Sequence, residues 1–325
     1  MFEDFFINSA SEIRDLWNDQ KVFHFLSNQQ KPNCVIERSA RFSCAGMRYA
    51  MKNKIPYVLE WKDHLLDYRF SLLKWLARKV ERQKIKSADF IFVESQVLKD
   101  ALVREGIDPS KIIITYNAVN PDEFVRIPDE GLRIRRECGI TTDDFVVGYA
   151  GSYAFYHDSI RMILAAEELQ RRGYLQVKWL LLGSGKDYQI CRDAAEERGL
   201  LGKSVFMISR VPKEDVPSYL SAFDIAILPG STEIICPIKV MEYMASETVV
   251  LVPDYPCNRE VVSEECGLLF EPFSERSIAD KIEELVLSPE AISTLGRKAR
   301  EVVSKKFIWD RTYGVALEYV LEAVS

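Results

Sequence analysis

The sequence has no long apolar run and no basic secretion signal, and each absence excludes a class of protein. No stretch of about 18 uncharged apolar residues occurs, so we expect no helix that spans a membrane. The first residues, MFEDFFINSASEIRD, carry acids instead of a basic region followed by an apolar core. That pattern is not the pattern of a secretory signal peptide.

The sequence also lacks paired cysteines and an excess of positive charge. Its seven cysteines lie far apart without CxxC or CxxH spacing, so neither a disulfide framework nor a zinc site is indicated. Scattered single cysteines are typical of thiols kept reduced in a cytosol. Lys and Arg number 43 against 49 Asp and Glu, a net charge of -6, which argues against a nucleic-acid-binding protein. We therefore expect a soluble, cytoplasmic protein without a nucleic-acid partner.

Short apolar runs alternate with helical patterns along the whole chain. Uniformly apolar strands that alternate with helices predict parallel sheets covered on both faces, which is the α/β class. The predicted strands are NCVIERS, IPYVLEW, DFIFVES and KIIITYNAV, and then FVVGYAG, QVKWLLLGSG, SVFMISRV, FDIAILPG, TVVLVPD and GLLFEP. We predict two doubly wound, Rossmann-like domains that face a cleft, with ligands at the carboxyl ends of the strands.

A polar, turn-rich segment, residues 120–144, separates the two series of strands and is predicted to be a linker. The predicted domains are residues 1–127, 128–307 and a closing helix over 308–325 that packs across both. The first domain opens on an acidic, aromatic, helix-like segment instead of a strand and a Gly-rich turn. We therefore interpret it as abridged.

The segment FVVGYAGSYAFYHDS predicts a strand, a turn of small residues and a helix that begins near Ser159. The small residues Gly151 and Ser152 allow backbone N–H groups to approach an anion, and helix N-termini favour negative charge. On this interpretation, His157 donates a hydrogen bond to a phosphate. The alternative is a helix cap at Asp158 and Ser159 with an exposed His157. A second segment, LLLGSGKDYQ, repeats the design without a full GxGxxG and indicates a tight turn.

The segment STEIICPIKVMEYMAS places two charged residues in an apolar setting. Pro237 suits the first turn of a helix, so Lys239 and Glu242 lie three residues apart on one face of it. The apolar flanks predict a largely buried helix, whose polar side chains need partners. Lys239 then reaches a diphosphate and Glu242 accepts hydrogen bonds from a ribose. The alternative is a Lys–Glu pair on a solvated helix face.

These residues resemble a known family. PIKVMEYMASETVVLVPDYPCNREVVSEECGLLFEP is similar to the donor-binding segment of the retaining GT-B glycosyltransferases of family four. The ordered segments NAVNPDEF, GYAGSYAFYH and LLGSGKDYQ also follow that family, and so does SVFMISRVPKEDVPSYLSAFDIAILP. On the acceptor side, KPNCVIERS, IPYVLEW and SADFIFVESQVLKDALVREGI resemble its first domain.

The resemblance implies a role for each matching residue. Glu242 holds the nucleotide ribose, and Lys239, with the backbone around Ile238 and Val240, faces the diphosphate. Gly151, Ser152 and His157 form the loop over the diphosphate and the transferred sugar. Arg210 and Val211 fall where the base is cradled.

Departures from the family bear on the choice of site candidates. The family's paired-Glu motif puts its first Glu eight residues before the second, which here is Ile234; Glu233 is one residue away and is kept as a catalytic candidate beside Lys239 and His157. The acceptor-side VHD of some relatives reads WKDH, so Lys62, Asp63 and His64 are the acceptor-side candidates.

The resemblance implies a retaining transfer of sugar from a nucleotide-diphosphate sugar to a hydroxyl of a glycan or lipid-linked glycan, as in polysaccharide biosynthesis. No DxD-like carboxylate pair stands where a metal would bind, so no metal or other cofactor is expected. A nucleotide-sugar epimerase or phosphorylase is a rival enzyme class, against which the order EYMA, EVV, GLLF argues. The other alternative is a non-catalytic partner that binds a nucleotide sugar or scaffolds another transferase.

Residues 68–86 hold seven Lys and Arg against one Glu. Phe70, Leu73, Leu76 and Val80 recur at helical spacing within them, which is typical of a helix that lies on anionic lipid. This interpretation predicts a peripheral contact with the inner face of the membrane. The alternative is a helix packed on its sheet with a solvated basic face.

Overall fold

The structure is a computed structural model that describes residues 2–62 and 73–324. The chain divides into two compact units. The first comprises Met1–Tyr116 and Tyr313–Ser325, and the second comprises Asn117–Thr312. The first unit thus ends at Tyr116, where the sequence places the boundary at 127, and the end of the predicted closing segment belongs to the first unit.

The first unit contains a four-stranded parallel sheet in the order β1-β2-β3-β4. Its strands are β1 (Val35–Arg38), β2 (Tyr57–Glu60), β3 (Phe90–Val93) and β4 (Ile112–Ile114). Its described helices are α1 (Phe2–Ser27), α2 (Ala45–Asn53), α3 (Lys74–Ser87), α4 (Gln96–Arg104) and α13 (Val315–Val324). Apolar side chains of α13, Ala316 and Val320, pack on Val58 and Phe92 of the sheet. All four predicted strands of this unit are confirmed.

The second unit contains a six-stranded parallel sheet in the order β10-β9-β8-β5-β6-β7. Its strands are β5 (Phe145–Ser152), β6 (Val177–Ser184), β7 (Val205–Ile208), β8 (Ile225–Ile227), β9 (Val249–Pro253) and β10 (Gly267–Phe270). Its described helices are α5 (Pro128–Glu137), α6 (Ile160–Arg171), α7 (Tyr188–Glu197), α8 (Val216–Leu220), α9 (Ile238–Ala245), α10 (Pro256–Arg259), α11 (Glu275–Leu287) and α12 (Pro289–Lys306). The strand order reverses between β5 and β8. In doubly wound sheets this switch point is where ligands bind, at the carboxyl ends of the strands.

The predicted linker, residues 120–144, is wrong in part because it contains helix α5. Pro128 takes the first helical position, acidic residues fill the first turn and basic residues fill the last turn, so the charges oppose the helix dipole favourably. Gly131 lets α5 approach α8 closely, since a Cβ there would lie 2.3 Å from the carbonyl oxygen of Ser221. The polar composition reflects a helix that is exposed on one side.

Helix α3 corresponds to the end of the predicted basic helix. Leu73 and Leu76 pack with Leu16 around the buried Phe42 and Ala77. These two leucines of the predicted lipid-facing stripe therefore face the interior of their own unit, while Phe70 lies outside the described residues. In the part of the chain that the structure describes, no helix is long and apolar enough to cross a membrane.

Candidate active site

The first wall of the site is formed by two adjacent strand ends, β5 and β6. Gly151 and Ser152 lie in register with Gly183 and Ser184. Gly183 has a φ of +136°, and a Cβ on it would lie 1.8 Å from the carbonyl oxygen of Gly151. Glycine is therefore required where the two turns approach each other. The two strands therefore stay paired to their ends, at Ser152 and Ser184.

Helix α9 forms the second wall, and Tyr243 fixes it to β5. Strand β8 pairs with β5 only at Val147 and Gly148. Further along β5, the Tyr243 hydroxyl accepts a hydrogen bond from the Ala150 amide and donates one to the Ala150 carbonyl. The helix begins at Ile238, directly after Pro237, as the sequence predicts. This attachment brings the first turn of α9 beside Gly151.

Lys239 is the central side chain of this arrangement. Its Nζ lies 3.1 Å from the Tyr149 hydroxyl and 3.1 Å from Nε2 of His157. A Cβ added to Gly151 would lie 2.5 Å from the same Nζ, so the ammonium lies directly against the glycine. Burial lowers the pKa of Lys239 to about 8, and the nearby charge of Glu242 opposes that shift. The side chain is therefore mostly protonated at pH 7.

His157 is buried, with 4% of its surface exposed, which excludes the alternative of a merely exposed histidine. Its Nδ1 lies 3.1 Å from the carbonyl oxygen of Gly230. Burial, and then the charge of Lys239, lower the pKa of His157 to about 4. The imidazole is thus neutral at pH 7, although the sequence predicts that it donates to a phosphate.

A cavity of about 520 Å³ lies within the second unit, at the carboxyl ends of β5 and β6. Five residues predicted for nucleotide binding line it together: Gly151, Ser152, Arg210, Val211 and Glu242. Glu242 lies one turn after Lys239, and burial raises the pKa of its carboxyl while the charges of Lys239 and Lys213 lower it. The cavity therefore combines main chain at the strand ends with one carboxylate, which suits a ligand rich in hydroxyl groups.

Phe124 and Lys213 are among the lining residues that are not predicted from the sequence. Lys213 lies three residues after Arg210 and pairs with Glu123 at 3.5 Å. Phe124 follows the short turn Pro121–Glu123, inside the segment predicted to be a linker. An apolar side chain within this polar segment is the sequence feature that could have indicated a folded structure there.

The remaining candidates of the second unit are placed differently. Glu233 is exposed, does not line the cavity, and acts electrostatically on Tyr255. Ile238 is 39% exposed at the start of α9, whereas Val240 is fully buried. The amide of Val240 donates to the Pro237 carbonyl at 3.0 Å, so that donor is used within the helix turn.

The acceptor-side candidates follow β2 in the first unit. Lys62 lies 3.2 Å from Glu60 and pairs with the buried Glu94. Burial alone would lower the pKa of Lys62, but its hydrogen bonds to Glu94 and Tyr313 raise the pKa overall. Burial likewise raises the pKa of Glu94. Asp63 and His64 lie outside the described residues.

A cluster of at least three His, Cys, Asp or Glu side chains can hold a metal ion. Over residues 2–62 and 73–324, no such cluster is arranged to hold a metal ion. In the described part of the site, the positive charge is that of Lys239, Arg210 and Lys213.

Comparison with known sequences identifies two family models. The one described as "Glycosyl transferases group 1" matches residues 132–302, and the one described as "Glycosyl transferase 4-like domain" matches residues 12–118. The first match covers most of the second unit and the second covers most of the first.

Curated relatives are distant. The chain is 22% identical over 314 residues to alpha-maltose-1-phosphate synthase of Mycolicibacterium smegmatis, which covers 88% of the chain and 78% of that protein. It is 23% identical over 235 residues to alpha-D-kanosaminyltransferase of Streptomyces kanamyceticus, covering 71% of the chain and 60% of that relative.

Solved structures share the fold. A crystal structure of Anabaena HepE in complex with UDP matches with a TM-score of 0.79 at 17% identity, over 93% of this chain and 82% of that one. Sucrose-phosphate synthase from Thermosynechococcus elongatus matches with a TM-score of 0.71 at 19% identity, over 94% and 80% of the two chains. These matches confirm the predicted fold class, two Rossmann-like α/β domains of the GT-B type.

Proposed function

Because the chain belongs to the glycosyl transferases group 1 family, we propose that it transfers a sugar from a nucleoside-diphosphate sugar to a hydroxyl group of a glycan or lipid-linked glycan. We propose that the transfer retains the anomeric configuration and needs no metal ion. The observation that carries the proposal is the position of Lys239 against Gly151, beside a cavity that Glu242 lines.

In this proposal the nucleoside occupies the cavity of the second unit. Glu242 accepts hydrogen bonds from the ribose hydroxyls, and Arg210 and Val211 border the base. The diphosphate lies at Gly151 and Ser152, where the Lys239 ammonium meets negative charge. HepE was crystallised with UDP and with UDP-glucose, so a uridine nucleotide is the first ligand to test.

The proposed chemistry breaks the bond between the sugar's anomeric carbon and the diphosphate oxygen, and forms a bond from that carbon to the acceptor oxygen. The acceptor proton passes to the departing diphosphate, which acts as the base. Lys239 stabilises the negative charge that develops on the leaving group, and this supports a metal-independent reaction. Loss of activity in EDTA with recovery on adding Mg²⁺ would overturn that part of the proposal.

A second candidate function is a non-catalytic partner that binds a nucleotide sugar without turnover. The observation that favours it is the exposed position of Glu233, with Ile234 where relatives have their first paired Glu. One measurement distinguishes the two functions. A transferase releases nucleoside diphosphate from a bound nucleotide sugar, and a non-catalytic partner does not. The anomer of the sugar first released, followed by NMR, reports on retention.

The binding test is a thermal-shift screen of UDP, GDP, ADP and their sugars on the wild type and Glu242→Ala. A ligand at 100 times its Kd stabilises the folded protein by about 2.7 kcal/mol. We expect a shift for one nucleotide that is lost in Glu242→Ala. The control ligand is the 2′-deoxynucleotide, which lacks one ribose hydroxyl. The wild type should bind it more weakly than the ribonucleotide, whereas Glu242→Ala should not distinguish the two ligands. Absence of a shift for every ligand would contradict the donor site.

We also propose a peripheral contact with anionic membrane through helix α3. Its exposed residues recur at helical spacing and form one face, the basic face: Trp75, Arg78, Lys79, Arg82, Gln83 and Lys86. Four of the six are cationic in a chain of net charge -6, so the face concentrates positive charge against the overall balance. The 65% exposed Trp75 supplies an apolar side chain that suits a lipid interface.

A further inference from the structure

We propose that Tyr149 and His157 are positioning residues that hold the Lys239 ammonium for the donor diphosphate, and that His157 does so as a hydrogen-bond acceptor. This inference rests on the proposed function, because it assigns the parts that orient the site's buried cation. Neither residue is expected to touch the transferred sugar.

The proton positions around His157 follow from what each neighbour can do. The Gly230 carbonyl can only accept, so the nitrogen 3.1 Å from it, Nδ1, carries the ring proton. In a neutral imidazole the other nitrogen then has a lone pair. That nitrogen, Nε2, lies 3.1 Å from Nζ of Lys239, and an ammonium can only donate. His157 therefore accepts a hydrogen bond from Lys239.

The same reasoning fixes the proton of Tyr149. Its hydroxyl lies 2.7 Å from the carbonyl oxygen of Ser152, to which it must donate. Its oxygen therefore accepts from Lys239 at 3.1 Å, and the ammonium also lies 4.8 Å from the centre of the Tyr149 ring. The ammonium thus donates to the phenol oxygen, and the phenol in turn donates to the Ser152 carbonyl.

These contacts use two of the three N–H donors of the ammonium and leave one for an anion. Tyr149 is fully buried and His157 nearly so, which fixes both acceptors relative to β5. A lysine otherwise has a flexible four-carbon chain, and orienting it in advance reduces the entropy lost when the donor binds. The pKa of about 4 for His157 agrees with a neutral acceptor.

The first test reads the tautomer directly and needs no ligand. The chain has three histidines, so ¹H–¹⁵N correlation spectra of the imidazole rings are simple, and His157→Gln identifies the His157 signals. We expect an Nδ1–H tautomer with an unprotonated Nε2 that stays neutral at pH 6. An Nε2–H tautomer, or a doubly protonated ring at pH 6, would overturn the inference.

The second test compares nucleoside diphosphate and monophosphate binding by calorimetry in three variants. His157→Gln keeps an acceptor oxygen near the place of Nε2, whereas His157→Leu and Tyr149→Phe each remove an acceptor. We expect His157→Leu and Tyr149→Phe to weaken diphosphate binding about tenfold with little effect on the monophosphate, and His157→Gln to restore most of it. Equal losses for both ligands, or no rescue by Gln, would indicate a merely structural role.

The outcomes separate the inference from the proposed function. If the wild type binds no nucleoside diphosphate, the proposed function fails and the positioning role fails with it, while the tautomer can still be read. If the wild type binds and the variants do not discriminate between the two phosphates, the inference alone is wrong. Thermal unfolding of each unliganded variant shows whether it has folded.

Discussion

The Tyr243 hydroxyl accepts a hydrogen bond from the Ala150 amide at 3.0 Å and donates one to the Ala150 carbonyl at 2.8 Å. A side chain thereby replaces a neighbouring strand for one residue of β5. Because the same helix carries Lys239 and Glu242, this pair of hydrogen bonds sets the position of both charged groups relative to Gly151.

Tyr243→Phe should destabilise the protein and weaken nucleotide binding together. It removes both hydrogen bonds of Ala150 at a nearly inaccessible site, which costs about 1–3 kcal/mol. For a unit of this size, each kcal/mol corresponds to roughly 2–4 °C in Tm. Thermal unfolding with and without the nucleotide measures both effects.

The matched control is Tyr153→Phe. The Tyr153 hydroxyl is also buried but has no hydrogen-bond partner among the described residues. Its removal relieves an unsatisfied polar group while the ring contacts to Tyr149 and Tyr188 remain. We expect the Tm of this variant to be unchanged or higher. Equal losses in the two variants would mean that hydroxyl bonding at Ala150 is not what stabilises α9.

Alanine substitution at two glycines of the site should affect different properties, ligand binding at Gly151 and stability at Gly183. Gly151→Ala puts a Cβ 2.5 Å from Nζ of Lys239, the end of a flexible side chain, and Gly151 has no positive φ. Gly183→Ala puts a Cβ 1.8 Å from a backbone oxygen at a φ of +136°. We expect Gly151→Ala to fold normally and bind nucleoside diphosphate about tenfold more weakly, since Lys239 is displaced. Gly183→Ala should lower the Tm.

Comparing Tm and Kd for the two variants checks this prediction. A large fall in Tm for Gly151→Ala would show that the backbone, and not Lys239, yields to the added methyl group. Unchanged binding in a folded Gly151→Ala would show that Lys239 does not need its position against the glycine.

Nucleoside diphosphate binding should weaken as the pH rises through about 8. The pKa of Lys239 is lowered to about 8 by burial, so the ammonium that meets the diphosphate loses its proton above that pH. At pH 9 about one molecule in ten remains protonated, and Kd should be about tenfold higher than at pH 7. Calorimetry at pH values from 6.5 to 9.5 measures the profile. This window is centred on the Lys239 pKa of about 8.

The neighbours of Lys239 do not titrate in this window. The pKa of His157 is lowered to about 4 by burial and by Lys239, and burial raises the pKa of Tyr149 well beyond it. Burial raises the pKa of Glu242 above its usual value, and the charges of Lys239 and Lys213 oppose that shift. Lys239→Arg is the control, because a guanidinium stays charged throughout and should flatten the profile. A profile that keeps its slope in Lys239→Arg would assign the titration to another group.

The sequence predicts the strands and the charged helix because those depend on neighbouring residues. Runs such as FDIAILPG and TVVLVPD are uniformly apolar, and the structure buries them as central strands β8 and β9. Lys239 and Glu242 share a helix face by spacing alone. Helix α5 lies in the predicted linker because its segment begins with Pro128 and contains Gly131, which are both typical of turns.

The contacts that orient the site join residues distant in sequence, and no local pattern encodes them. Tyr149 and Lys239 are 90 residues apart, and Ala150 and Tyr243 are 93 apart. The sequence identifies His157 as a candidate from its loop, but only its distances to Gly230 and Lys239 indicate that the ring accepts a hydrogen bond from Lys239. Burial likewise decides that Lys239 has a lowered pKa, and burial depends on the folded chain.

The basic face of α3 should bind anionic vesicles and not neutral ones. Cosedimentation with phosphatidylcholine vesicles, with and without phosphatidylglycerol, measures the binding. Each basic residue near an anionic surface contributes about 1 kcal/mol, so reversing Arg78, Lys79 and Arg82 to Glu should abolish binding. Reversing Arg297, Lys305 and Lys306, which are exposed on α12, makes the same change in net charge elsewhere. We expect that control to bind as the wild type does, and the binding of both to fall as salt is added.

Equal losses in the two triple variants would show that net charge, and not this helix face, governs the contact. Binding to neutral vesicles would contradict the electrostatic interpretation.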